Sequence, residues 1–217
     1  MGTYKPGAFG PFNGKIGDVV ASRWKTINVV KNFPAKSKKP KTALQLNQTS
    51  QFSLVTNFLK KAAGLISVGY GGVKGSVTPM NAALKYHLAE AITGVYPNHQ
   101  LDYSKVNLSL QDSKMDHTHS PVAEALANIV VKISWKIDAN ANKSTLPTDK
   151  AYILLYNPAK KNSVSLSGNM LRSALSAEVP VPSFYLGDVL HCWLFFASAD
   201  GKIVSETSYL KTVTVIE

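Results

Sequence analysis

The chain has 217 residues, of which 45% are hydrophobic and 17% charged, so it can bury a core and intrinsic disorder is not expected. Twenty-four Lys and Arg outnumber thirteen Asp and Glu, which gives a formal net charge of +11. Residues 1–61 hold eleven of the basic residues but a single acid, Asp18, whereas the remainder is nearly neutral. This asymmetry indicates a basic segment that binds a partner and a segment of nearly zero net charge that forms the folded core.

The sequence has no pattern typical of an export signal or a membrane span. Residues 1–7 lack the apolar stretch of a signal peptide. The longest apolar run, residues 189–197, is less than half a membrane span. We therefore expect synthesis in the cytoplasm, or release without Sec export. The single cysteine, Cys192, lies in that run, which predicts a small buried hydrophobe and excludes an internal disulfide.

Residues 1–14 are rich in glycine, proline and aromatic residues, which predicts an extended basic arm rather than a strand or a helix. The glycines in this arm are too flexible to hold Tyr4, Phe9 and Phe12 against its own backbone. We therefore expect a surface elsewhere to cover these rings.

Residues 16–33 interleave apolar and basic side chains, which predicts a β-hairpin that turns near Ala21 and Ser22. A hairpin alone cannot bury Trp24. This side chain therefore needs a partner surface, either in the rest of the chain or in another subunit.

A first helix is predicted after a lysine-rich loop. Four lysines in the six residues 36–41, bounded by prolines, predict an extended loop because like charges repel. Thr42 and Gln45 then have the spacing of a capping box, which opens a helix to about Lys61.

A second helix is predicted from Thr78, its cap, through Pro79 in its first turn to Gly94, which ends it. The two helices are joined by a glycine-rich connector at residues 69–75. This connector satisfies neither of the common phosphate-loop patterns, so no phosphate site is predicted there.

From residue 102 onward the pattern is almost wholly β, with turns at 138–149, 157–169, 180–188 and 198–202. Six strands are predicted at 105–110, 128–137, 151–156, 172–179, 189–197 and 204–216. Their spacing favours an antiparallel β-sandwich, Ig-like or jelly-roll-like, with Trp135, Trp193 and Tyr209 as core aromatics. We predict an α+β fold in two domains: residues 1–101 hold the arm, hairpin and two helices, and residues 102–217 form the sandwich.

Several short motifs are spread along the whole chain. They are Gly10-Pro11-Phe12-Asn13-Gly14-Lys15-Ile16-Gly17, Trp24-Lys25, Tyr96-Pro97 and Ser205-Glu206-Thr207-Ser208-Tyr209-Leu210. In these the chain resembles a family of uncharacterised Bacteroidota proteins, catalogued only as a domain of unknown function. The resemblance implies a bacterial source and no catalytic residue. Lys31 stands where the family pattern has Arg, so a role that needs a bidentate guanidinium is not implied.

No pattern in the sequence predicts catalysis. His117 and His119 form the only close pair of histidines, but a Ser-Pro follows at once, so a solvated loop is expected rather than a metal site. His191 and Cys192 are neighbours that would point to opposite faces of a strand, which argues against a Cys–His pair. We predict a protein that is not an enzyme, with no cofactor and no metal.

The basic N-terminal quarter supports two functions. In the first, the chain assembles into a filament, tube or shell as a homo-oligomer or polymer, with Phe9, Phe12 and Trp24 as subunit contacts. In the second, it binds nucleic acid or another polyanion through counterion release. The residues for this second function are Arg23, Lys25, Lys31, Lys36, Lys38, Lys39 and Lys41. A solvated basic surface, an anionic sugar, a membrane surface and a carbohydrate-binding module remain open; we predict the first function.

Overall fold

The computed structural model describes residues 2–7, 10–35, 39–110, 114–138 and 140–217. Their contacts divide the chain into two compact units, Met1–Thr42 and Ala43–Glu217, here called the N-terminal unit and the C-terminal unit. The domain boundary predicted after residue 101 therefore lies inside the C-terminal unit. Within the described ranges, no helix is long and apolar enough to cross a membrane.

The N-terminal unit is a four-stranded antiparallel sheet with strand order β1-β4-β3-β2. Its strands are β1 (Gly2–Thr3), β2 (Gly14–Ile16), β3 (Val19–Trp24) and β4 (Ile27–Asn32). The predicted hairpin is thus its central pair; the arm supplies the edge strand β1 and the first residue of the other edge strand, β2. The prediction that residues 1–14 contain no strand is wrong, because the arm pairs with the hairpin on both sides.

The turn of the central hairpin lies four residues later than predicted. The strands pair as far as Trp24, so the turn consists of Lys25 and Thr26, with Lys25 in the left-handed region at φ 52°. The prediction of a turn near Ala21 and Ser22 is wrong, because both residues lie inside β3 and pair with β4. Small residues are common in turns, but they also suit the crowded centre of a sheet.

The arm holds one of its aromatic pairs by itself. The rings of Tyr4 and Phe12 stack with centroids 5.0 Å apart. The Tyr4 hydroxyl donates to the backbone oxygen of Phe12 at 3.0 Å and accepts from its N–H at 3.1 Å. The expectation that the arm cannot hold these rings is therefore wrong for Tyr4 and Phe12, while Phe9 lies outside the described residues.

The C-terminal unit contains three helices, α1 (Ala43–Lys61), α2 (Ala63–Gly69) and α3 (Pro79–Glu90). Two short strands, β5 (Ile92–Thr93) and β6 (Gln100–Leu101), form a small antiparallel pair after them. The remaining strands are β7 (His119–Leu126), β8 (Val130–Lys136), β9 (Lys150–Asn157), β10 (Asn162–Leu171), β11 (Ser176–Pro180), β12 (Val189–Ala197) and β13 (Ser208–Thr214).

These last seven strands form two antiparallel sheets, ordered β10-β9-β12-β13 and β11-β8-β7. One apolar core fills the space between them, with Trp135 and Cys192 among its members. The α+β fold with an antiparallel β-sandwich is therefore confirmed, as is the burial of Cys192.

The helices cover the other face of the four-stranded sheet. Leu154 and Tyr156 of β9 belong to a second core with α1, α2 and α3, whereas Ile153 and Leu155 belong to the sandwich core. Both faces of β9 and β12 are thus buried, which explains their nearly continuous apolar sequences. Trp193 also lies on the helix-facing side, so it is a core residue but not one between the two sheets.

The two predicted helices are present, and only the end of α3 differs from its prediction. Helix α1 ends at Lys61 as predicted, and the hydroxyl of Thr78 caps α3 by accepting from the Asn81 N–H at 3.2 Å. Helix α3 ends at Glu90, and Gly94 instead follows β5. Helix α2 was not predicted, because its seven residues are too few to show a clear helical period.

Two strands lie where turns or loops were predicted, and one predicted strand is absent. Strand β7 contains Pro121 beside a register shift at the edge of its sheet, which is where proline is tolerated. Strand β10 occupies the predicted turn at 157–169, although its alternating Ser, Val and Leu have the period of a strand. Residues 106–110 are irregular and follow a 3₁₀ turn at Tyr103–Lys105.

His87 of α3 is a fully buried histidine whose two nitrogens are both engaged. Its Nδ1–H donates to the Ala83 oxygen at 2.7 Å, and its Nε2 accepts from the Asn107 N–H at 3.3 Å. The bond from Asn107 requires the neutral ring, because a protonated Nε2 cannot accept. Burial lowers the pKa of His87 below its ordinary 6.5, although the bond to Ala83 acts in the opposite direction.

The lowered pKa predicts that the C-terminal unit loses stability in mild acid. Protonation favours the unfolded chain, so the contribution of His87 is complete above about pH 6.5 and is lost as the pH falls. Thermal unfolding followed by circular dichroism should give a lower midpoint at about pH 5.5 than at about pH 7.5. The His87→Gln protein should show a smaller pH dependence, and the exposed-site control His119→Gln should not. An unchanged pH dependence in His87→Gln would contradict this role.

Candidate functional site

The sheet of the N-terminal unit exposes large apolar side chains. We define the N-terminal apolar surface as Phe12 (41% exposed), Ile16 (60%), Trp24 (51%), Ile27 (46%) and Phe33 (53%). Trp24 and Ile27 are cross-strand partners, so they lie side by side on one face. Ile16 pairs with Val19 and lies on the opposite face. Both faces of the sheet therefore carry exposed apolar side chains.

The same unit has almost no buried side chains. Among its described residues, Ala21 is the one hydrophobic residue that is buried. A sheet normally buries one face against a second layer, and a few strands without such a layer are marginally stable in water. The apolar side chains of this sheet therefore lack the cover that a core would provide.

The predicted polyanion-binding residues do not form one cluster. Arg23 and Lys31 are exposed but lie on opposite faces of the sheet, because Arg23 pairs with Asn28 and Lys31 with Val20. The Arg23 Nε donates to the backbone oxygen of Lys25 at 3.1 Å across the hairpin turn. Positive charge is thus spread over both faces rather than collected on one.

The lysine-rich loop is described only in part. Lys39 and Lys41 have exposed side chains, whereas Lys36 and Lys38 lie outside the described residues. One cation of the sheet also contacts an aromatic ring: the Lys15 ammonium lies 4.2 Å from the centroid of Phe33. Basic and aromatic side chains are therefore interspersed in this unit.

The histidines and the cysteine considered from the sequence lie in different surroundings. His117 and His119 are exposed, and His119 begins β7. Burial raises the pKa of the Cys192 thiol to about 12, so it stays protonated. His191 donates to or accepts from the Tyr209 hydroxyl at 2.7 Å rather than contacting that thiol. Among the described residues, no group of three His, Cys, Asp or Glu side chains could hold a metal ion.

The model of a protein family of unknown function, DUF6266, matches residues 11–211. The chain belongs to this family. No curated protein matches it. Among solved structures, this DUF6266 chain shows a likeness to the fn3 domain of the human collagen alpha-1(XX) chain, at 17% identity and a TM-score of 0.33, over 50% of this chain and 93% of that one.

A cleft in the C-terminal unit of this DUF6266 protein was not predicted from the sequence. Its volume is about 520 Å³. It is lined by Leu54, Asn57, Phe58, Lys60, Lys61, Leu101, Tyr103, Tyr156, Pro158 and Lys161. These residues come from the second half of α1, from β6 and the turn after it, from β9, and from the turn between β9 and β10. Because they are far apart in the sequence, no local motif could have revealed the cleft.

Proposed function

We propose that the chain is a structural, non-enzymatic subunit that assembles with copies of itself into a filament, tube or shell through its N-terminal unit. The observation that carries this proposal is the N-terminal apolar surface on a sheet in which Ala21 is the one buried hydrophobic residue described. We also propose that the protein comes from a member of the Bacteroidota, on the basis of the glycine and phenylalanine pattern at residues 10–17.

Covering the exposed pair would stabilise an assembled state. Trp24 and Ile27 are 51% and 46% exposed. Because complete burial of such a side chain contributes about 1.5–3 kcal/mol, covering the exposed half contributes about 1 kcal/mol for each. Each contact is modest, so stable assembly requires several contacts per subunit, as a polymer with repeated interfaces provides.

The backbone of the sheet offers a second kind of contact. Strand β2 pairs only with Val19–Ala21 of the six-residue strand β3. Within the described residues, no strand pairs with the outer edge of Ser22–Trp24. An extended segment of a neighbouring copy could add there and bond the free backbone groups. Trp24 would then lie at the margin of the new contact.

The assembly proposal predicts that two substitutions dissolve the oligomer. Size-exclusion chromatography and negative-stain electron microscopy of the full chain should show regular particles, and the Trp24→Ser/Ile27→Ser protein should be a monomer, because the cross-strand apolar pair is lost. Val122→Ser is the matched control, since Val122 is also 46% exposed but lies on β7. A full chain that stays strictly monomeric at high concentration would overturn the proposal.

The salt dependence separates assembly from the alternative function. Residues 1–42 contain nine Lys and Arg against Asp18, a net charge of +8. Contacts between copies of such a unit should strengthen with salt, because salt screens the repulsion. The alternative is nucleic-acid or polyanion binding, supported by the exposure of Arg23, Lys31 and Lys41. A random DNA duplex that binds tightly, and less tightly as salt rises, would favour that alternative.

A further inference from the structure

The cleft of the C-terminal unit has the size of a small-molecule site. Its volume of about 520 Å³ lies within the usual range of about 300–1,000 Å³ for such sites. One wall is aromatic: Phe58 of α1 meets Tyr156 of β9 edge to face, with centroids 5.0 Å apart. The Tyr103 ring is stacked on the His191 ring with centroids 3.9 Å apart, so this contact holds the Tyr103 ring in place. The aromatic wall is therefore built by core packing and is preformed.

Two phenol hydroxyls of this wall are left available for a ligand. The hydroxyls of Tyr103 and Tyr156 have no hydrogen-bond partner among the described residues. By contrast, the hydroxyls of Tyr70 and Tyr209 bond to Asn107 and His191. Burial raises the pKa of Tyr103, and burial raises that of Tyr156 to about 12, so both remain protonated donors at neutral pH.

Three lysines line the same cleft. Lys60 and Lys61 come from the last turn of α1, and Lys161 comes from the turn between β9 and β10. Lys61 donates to Asn162 Oδ1 at 3.4 Å. Within the described part of the chain, none of the three pairs with a carboxylate, and no acid lines the cleft. The last turn of a helix favours cations, which accounts for two of these lysines but not for Lys161.

We propose that this cleft binds a small organic phosphate, whose phosphate group meets Lys60, Lys61 and Lys161 and whose apolar body packs against Phe58 and Leu54. Three cations exceed what a single carboxylate would need and can balance the dianionic charge of a phosphomonoester. The tyrosine hydroxyls supply neutral donors to the remaining phosphate oxygens. The volume leaves room for the organic body beside the phosphate. The lining residues all belong to the C-terminal unit, and the proposal does not depend on assembly.

Isothermal titration calorimetry of the full chain with phenyl phosphate tests the proposal. We expect saturable binding of one phenyl phosphate molecule per chain. Phenyl phosphate should bind more tightly than inorganic phosphate, because only phenyl phosphate has a ring that can pack against the aromatic wall. Lys161→Gln should weaken it about tenfold, by removing a charge-assisted contact. Tyr156→Phe should weaken it about fivefold, while keeping the ring that packs in the core.

The matched control is Lys136→Gln, which removes the same charge from the exposed end of β8. The affinity of the Lys136→Gln protein for phenyl phosphate should equal that of the unchanged protein. Equal weakening in Lys136→Gln and Lys161→Gln would show attraction to surface charge alone and would overturn the site. Absence of binding at about 10 mM phenyl phosphate, or equal affinity for inorganic phosphate, would also overturn it. Unchanged thermal unfolding of Tyr156→Phe would confirm that its effect is on the ligand.

Discussion

The Gly69→Ala substitution is expected to lower the free energy of unfolding by about 2–3 kcal/mol. Gly69 ends α2, and a Cβ at this position would lie 2.9 Å from the carbonyl carbon of Leu108 and collide with its oxygen. Alanine normally stabilises a helix by up to about 1 kcal/mol relative to glycine, so the clash must outweigh that gain. It should do so because the neighbour is backbone, which cannot rotate away as a side chain can.

The segment opposite Gly69 is held from both sides. The Gly69 oxygen accepts from the Leu110 N–H at 2.7 Å, and the Leu108 N–H donates to the Thr207 hydroxyl at 3.0 Å. Relaxing the clash would therefore disturb α2 and the segment before β13 together. Chemical denaturation of the purified variants measures the loss.

Gly72→Ala is the matched control for this substitution. No atom lies within 4 Å of a Cβ at Gly72, so its effect should be within about 0.5 kcal/mol. Equal effects at the two positions would contradict the close-packing account. They would point instead to a shared need for backbone freedom along the glycine-rich connector.

Local sequence patterns predicted the helices and strands that are marked by a few neighbouring residues. Helix α3 has its cap at Thr78 and a proline at its start, and β12 is a continuous apolar run that the structure reproduces as Val189–Ala197. Both signals are local because caps and short apolar runs act on neighbouring residues. Elements without such signals, such as α2, required the tertiary structure.

The failures near the N-terminus have a different cause. Residue size favours a turn at Ala21, whereas strand pairing decides the register and places the turn at Lys25. The same register separates Arg23 from Lys31, although both belong to one basic stretch of the sequence. The Tyr4–Phe12 pair is formed by two hydrogen bonds and ring stacking that composition cannot reveal.

The candidate cleft was beyond prediction for a geometric reason. Lys60 and Lys161 are one hundred and one residues apart, as are Lys61 and the Asn162 oxygen that it contacts. They meet only because α1 packs on the outer face of β9, which itself depends on both faces of that strand being apolar. The sequence predicted a strand at 151–156 but not what would cover its faces.

A second large effect is expected at a buried ion pair of the sandwich. The Arg172→Met substitution should lower the free energy of unfolding by about 3–5 kcal/mol. Arg172 and Asp149 are 3% and 1% exposed, and the Arg172 Nε lies 3.3 Å from an Asp149 carboxylate oxygen. This is an ion contact rather than an aligned hydrogen bond. Removing the arginine leaves a buried carboxylate without its cation.

The surroundings show that burial is costly for both partners. Desolvation raises the pKa of Asp149 and lowers that of Arg172, in each case against the attraction of the other. The guanidinium also lies 3.9 Å from the centroid of the Phe196 ring, a contact that methionine can partly replace. The main loss should therefore come from the unpaired charge of Asp149 rather than from packing.

The Arg172→Met/Asp149→Asn double variant separates these two contributions. The amide introduced by Asp149→Asn would keep an oxygen for the Leu146 N–H, from which Asp149 now accepts at 2.9 Å, but would carry no charge. Unfolding in urea should show that the double variant is more stable than Arg172→Met by at least about 1–2 kcal/mol. A double variant no more stable than the single one would mean that packing around Arg172, not charge, dominates.

The pH dependence of Arg172→Met gives an independent check on the same argument. Without the arginine, the folded-state pKa of Asp149 should rise further above its ordinary 3.8, because desolvation is then less opposed. A group whose pKa is higher in the folded than in the unfolded protein stabilises the fold fully at pH values below its ordinary pKa. This stabilisation is lost as the pH rises through the pKa of the folded state. The stability gap between Arg172→Met and the unchanged protein should therefore narrow as the pH is lowered from about 7 toward about 4. A gap that stays constant or widens over this range would show that Asp149 is not the group left uncompensated.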